Sequence, residues 1–211
     1  LEAGRTGPAG MVGMKEGTNP MKNRKKGKMH AFQICLLAMA VGINIIGGQI
    51  ALLLRLPVYL DSIGTILAGA SLGPLFGLVP NLLSGIVMAL TGDIYSLYFA
   101  PVGMITGLVS GLLLHGRTVK GPRLLLAGLG VTIPGTVVSS LINAALFGGI
   151  TSSGSTILVQ VLARTPLGLT GSIFVVQFLT DYADRCIAIF VVSAFLPILA
   201  GELRRRTAGG E

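Results

Sequence analysis

Six apolar stretches separated by short polar connections dominate the sequence, at 31–54, 60–76, 77–92, 99–115, 123–148 and 171–200. A helix that crosses a bilayer needs about 20 mostly apolar residues, so each stretch is a candidate span. The second and third are short and joined by Gly73-Pro74-Leu75-Phe76-Gly77, and read either as two spans with a tight turn or as one interrupted segment. Charged residues are 11% of the chain and hydrophobic ones 52%, with a mean hydropathy of +0.80. A soluble domain carries roughly a quarter charged residues, which excludes an ordinary globular fold.

The basic residues fix a sidedness. Lys15, Lys22, Arg24, Lys25, Lys26 and Lys28 precede the first stretch; Arg117, Lys120 and Arg123 lie between the fourth and fifth; Arg204, Arg205 and Arg206 follow the last. With six spans all three clusters fall on one side, which the positive-inside rule makes cytoplasmic. The expected fold is an all-α integral membrane protein, a six-transmembrane-helix bundle with N and C termini in the cytoplasm. Residues 1–29 read as a basic tail, disordered or left over from cloning, 30–203 as the membrane domain and 204–211 as a C-terminal tail. The net charge of +8 is spent on topology and on contacts to anionic lipid, and no aromatic-interleaved basic surface suggests nucleic acid. Cys35 and Cys186 sit inside apolar runs and read as buried, reduced thiols.

The opposite side receives the connections near 50–60, 93–98 and 149–170, which contain only Arg55 and Arg164 as basic residues. The last is long, and its Thr151-Ser152-Ser153-Gly154-Ser155-Thr156 run is expected to fold partly over the bundle. Irregular backbone at membrane depth is tolerated only where it is buried in protein or lines a cavity, so these connections predict an outward-facing pocket.

Two stripes of glycine, Gly69/Gly73/Gly77 and Gly103/Gly107/Gly111, recur every four residues and predict close helix packing. Ionisable and amide residues in or beside spans are costly enough to be candidates for function. Asp181, Asp184 and Arg185 share one helix face at i, i+3 and i+4: Asp184 with Arg185 is either a structural ion pair or part of a site, while Asp181 beside Gln177 is the better ligand candidate. Asp61, Asp93 and Asn143 cluster toward the outer half. Asn81 is either a ligand contact or interhelical glue, and Tyr59, Tyr95 and Tyr98 are either interfacial belt residues or ring faces for a small polar ligand. No catalytic or metal-binding constellation occurs, and no P-loop, so an enzyme is not expected, no intrinsic cofactor or metal is expected, and any pumping needs a partner that hydrolyses ATP.

The run Leu56-Pro57-Val58-Tyr59-Leu60-Asp61-Ser62-Ile63-Gly64-Thr65, then Gly73-Pro74, Leu90-Thr91-Gly92-Asp93 and Phe147-Gly148-Gly149-Ile150-Thr151, resembles the membrane-embedded S component of an energy-coupling factor (ECF) vitamin transporter. The resemblance covers nearly all of 30–203. It implies a multi-pass protein of a prokaryotic plasma membrane that binds a small polar metabolite, a vitamin or a related micronutrient such as a modified base, on its outer face. It also implies gating by the loops after the first, third and fifth helices. The implied partners are a transmembrane coupling protein and two ATPase subunits, docked on small residues of the first helix, where Ala38 and Gly42 match the spacing of the family's AxxxA motif with Gly in the second place. The alternative is a membrane-embedded ligand sensor, which would be expected to continue into an output domain beyond Arg206.

Overall fold

The computed structural model describes residues 20–117 and 122–208, with side chains for 31–117 and 122–196. The expectations that fall on Lys15, Lys120 and the outermost tails lie outside the described residues. Among the described residues the regular elements are all helices, with no strand: α1 (Pro20–Leu53), α2 (Ile63–Leu72), α3 (Pro74–Leu90), α4 (Ile94–Tyr98), α5 (Ala100–Leu114), α6 (Pro122–Ile142), α7 (Ser155–Leu162) and α8 (Gly168–Ala208). A π-helical turn, Asn143–Phe147, extends α6. The helix α1 reaches back into the stretch expected to be tail, and α8 runs forward into the other.

The boundary that the sequence left open is a break at Gly73. Its φ of 106° and ψ of 172° suit only glycine, its N–H closes α2 on Gly69 O at 3.0 Å, and Pro74 starts α3 at the position where a missing N–H costs nothing. Two helices, Ala31–Leu53 within α1 and Pro122–Phe147, are long and apolar enough to cross a membrane. The helices α2, α3 and α5 are shorter, at 10, 17 and 15 residues. At 1.5 Å per residue α2 covers about 15 Å.

The glycine stripes are where these short helices meet. A Cβ at Gly107 would collide with the Gly77 carbonyl and come within 2.9 Å of Thr65 Cγ2; one at Gly103 would overlap the Asn81 side chain, and one at Gly111 would strike Pro74. The pairing 81 with 103, 77 with 107 and 74 with 111 runs α3 antiparallel to α5. A Cβ at Gly69 would come within 2.7 Å of Gly107 O and of Ser110 Oγ, and one at Gly73 would reach His115, so α2 runs parallel to α5. Helix α1 docks on α2 in the reverse direction, with Asn44 Nδ2 donating to Thr65 Oγ1 at 2.7 Å and Asn44 Oδ1 accepting from Gly64 N at 2.8 Å.

One apolar cluster holds the Gly73 end: Leu36, Ile66, Leu67, Ala70, Leu114, Val131, Ala188, Ile189 and Val192. A smaller one, Val159 with Ile173 and Val176, seats α7 on the first half of α8. As many polar as apolar side chains are buried, while large apolar residues such as Ile34, Leu75, Leu126 and Phe190 face outward. That distribution is the reverse of a water-solvated core. Cys35 lies on the exposed side of α1 and Cys186 is half-buried, so the expectation that both are buried fails for Cys35; both are free thiols.

Candidate functional site

The connections 54–62, 91–99 and 148–156 converge at the end of the bundle opposite Gly73. Gly154 N donates to Leu56 O at 3.1 Å and Ser153 Oγ to the same oxygen at 3.3 Å, tying the third connection to the first. Phe147 ties the third to the second: its ring lies 4.9 Å from Tyr95, 5.4 Å from Tyr98 and 5.9 Å from Phe99, centroid to centroid. Gly148 and Gly149, with φ of 54° and 84°, let the chain leave the π-helical turn and pass over Val159. Arg55 and Leu60 also have positive φ, 50° and 53°, a conformation uncommon for branched or bulky residues. Leu60 is held there by its N–H, which donates to Asp184 Oδ1 at 2.8 Å.

Beneath these connections α8 supplies a buried ionic cluster. Asp184 Oδ2 accepts from Ser62 Oγ at 2.5 Å and from Arg185 Nη1 at 2.9 Å. Arg185 Nη1 also stands 3.8 Å from Asp181 Oδ1, and Nη2 donates to Thr106 Oγ1 at 3.2 Å. Asp181 Oδ2 accepts from Thr136 Oγ1 at 2.9 Å and Ser139 Oγ at 3.0 Å, while Gln177 Nε2 reaches Oδ1 at 3.4 Å. Buried charges persist only when paired and hydrogen-bonded, and here the donors come from α5, α6 and the first connection as well as from α8.

Two small cavities share Tyr59 and Asp61 in their walls, and the second opens onto this cluster. The first, about 20 Å³, is lined by residues of all three connections, including Leu56, Tyr59, Asp61, Asp93, Ser96 and Ser153, with Met88 and Asn44 below. The second, about 30 Å³, is lined by Tyr59, Asp61, Asn81, Phe99, Gln177, Asp181 and Arg185, among others. Each has room for one or two waters, so a larger occupant requires the side chains between them to move. Tyr59 and Asp61 border both.

The structure therefore brings together Asp61, Asn81, Gln177 and Asp181 around one cavity, and Asp61 with Asp93 around the other. Asn81 Nδ2 also donates to Asp61 O at 3.3 Å, so it serves as glue while lining the cavity. Asp184 lies beneath the site as the ion-paired anchor of Leu60 and Ser62. Asn143 is buried and turned to the Gly149 N–H at 3.2 Å, bordering neither cavity. Tyr95 and Tyr98 belong to the aromatic cluster around Phe147, whose link to the second cavity is Phe99. Sequence reasoning missed Ser62, Thr106, Thr136 and Ser139 as partners of the cluster, along with Phe99, Ser96 and Ser153.

Ala38 is exposed on α1, and a Cβ at Gly42 would meet nothing within 4 Å, so both lie on the outward side of the helix. Among the described residues no group of three or more His, Cys, Asp or Glu is placed to hold a metal ion. The chain matches no family model, and comparison with curated proteins and with solved structures gives no match.

Proposed function

We propose that this chain is a six-span membrane protein that captures a small polar metabolite on its outer face and delivers it inward as the S component of an ECF-type transporter. The observation that carries the reading is the convergence of the three Lys- and Arg-poor connections on one cavity, beside a second that opens onto a buried polar cluster, at the end of the bundle away from Arg117 and Arg123. The apolar outer faces of the helices suit lipid as the surrounding solvent, and the short helices α2, α3 and α5 complete the bundle with α1, α6 and α8. The resemblance in sequence supplies the partners: a transmembrane coupling protein and two ATPases, which would hydrolyse the ATP. Ala38 and Gly42 stand where such a partner has access, small and unobstructed.

The test is recovery of those subunits. The tagged chain, expressed with the coupling protein and ATPases and solubilised in mild detergent, should copurify with them. Ala38→Trp and Gly42→Trp should reduce recovery several-fold while leaving the melting temperature of the isolated chain unchanged, since neither position packs inside. Full recovery in both variants would remove that face from docking. A chain that retains its small molecule yet never recovers the subunits would favour the sensor reading.

A further inference from the structure

The polar pocket has an unbalanced set of hydrogen-bonding atoms. Asp61 and Asp181 line the second cavity with a single cation, Arg185, and Arg185 is already shared with Asp184. The first cavity adds Asp93, and neither cavity is lined by another basic residue. Gln177 is 1% exposed, lines the second cavity and has its Oε1 without a partner; Arg185 Nε and the Tyr59 hydroxyl are buried and unpartnered as well. Buried polar atoms are almost always satisfied, and an unpartnered carbonyl oxygen on a residue that lines a cavity with two carboxyls is an acceptor waiting for N–H donors. Beside it the first cavity has an apolar wall from Ala51, Leu52, Val58 and Met88.

From this we infer that the pocket selects a small organic cation: a protonated amine- or amidine-type nitrogen group directed at Asp61, Asp181 and Gln177 Oε1, attached to a compact apolar or aromatic body. The inference deepens the proposed function and rests on its reading of the chain as a small-molecule binder. A positive group answers the excess of carboxyls over the one guanidinium, and one acceptor atom on the same ligand would occupy Arg185 Nε. An anionic ligand would face three carboxyls with one guanidinium, and is excluded by the same count.

Benzamidine, benzamide and benzoate form a matched probe set, nearly equal in shape and differing in charge. Binding of each to the purified full chain in nanodiscs is measured by calorimetry and by the shift in melting temperature. Benzamidine should bind at least tenfold more tightly than benzamide, and benzoate should not bind. Asp61→Asn should lose about tenfold or more of the benzamidine affinity, the loss expected of one charge-assisted hydrogen bond; Gln177→Met should lose less, and benzamide should be insensitive to Asp61→Asn. Melting curves without probe confirm that each variant is folded, and the Gln177→Met arm stands if Asp61→Asn is not. Equal affinity for the three probes, a preference for benzoate, or no binding of any of them overturns the inference. The copurification test above is independent of ligand charge, so transporter assembly surviving such a result would leave the functional reading in place.

Discussion

Replacing Arg185 by Gln tests whether the buried cluster is held together by charge. The guanidinium is 4% exposed and serves Asp184 at 2.9 Å, Asp181 at 3.8 Å and Thr106 at 3.2 Å. Its removal leaves Asp184 with the Leu60 N–H and the Ser62 hydroxyl, and Asp181 with Thr136, Ser139 and a long contact to Gln177. Breaking a buried pair by deleting one partner costs about 3–5 kcal/mol. For a chain of this size about 2–4 °C is lost per kcal/mol, so the melting temperature should fall by roughly 6–20 °C. Because the chain has no Trp, circular dichroism in detergent is the suitable probe. Asp184→Asn combined with Arg185→Gln removes both charges and keeps an acceptor for Leu60 N–H, so the double variant should regain at least half of the loss. A single variant within about 1 kcal/mol of the parent, or a double variant no more stable than the single, would refute the ion-pair account.

Gly107→Ala should lower stability by about 1–3 kcal/mol, because the new methyl meets the backbone of Gly77, whereas Gly42→Ala should be neutral or stabilise by up to about 1 kcal/mol through helix propensity; equal melting temperatures would deny the close α3–α5 contact.

The two stripes of glycine were legible because a spacing of four on a helix has one physical meaning, close approach along a face. The triad Asp181, Asp184 and Arg185 was legible for the same reason: its spacing put the charges on one side of α8 before any partner was known. The partners were not legible. Thr106, Thr136 and Ser139 sit in apolar helices where a hydroxyl also bonds the carbonyl a turn back, as Thr106 does to Val102 O at 2.9 Å, so nothing local marks them as donors to a carboxylate on another helix. The bond that Asn143 Oδ1 accepts from the Gly149 N–H was not legible either, because it depends on the π-helical turn Asn143–Phe147 and the left-handed glycines that follow it. Cys35 looked interior because an apolar neighbourhood in sequence does not distinguish the packed face of a helix from an apolar face turned outward.

The short helix α2 has a consequence for water. In the bilayer of the proposed reading, about 15 Å of helix reaches only half-way across about 30 Å of hydrocarbon, so if Gly73 stands near one interface, Ser62 stands near mid-depth and the 54–62 segment fills the upper half as a descending non-helical tongue. Its exposed peptide groups need shelter from acyl chains, and the contacts of Ser153 and Gly154 with Leu56 provide part of it. On that reading the 151–156 segment is the missing upper half of a wall, and access to the first cavity, which Ser153 and Asp61 both line, would be tied to the integrity of that wall.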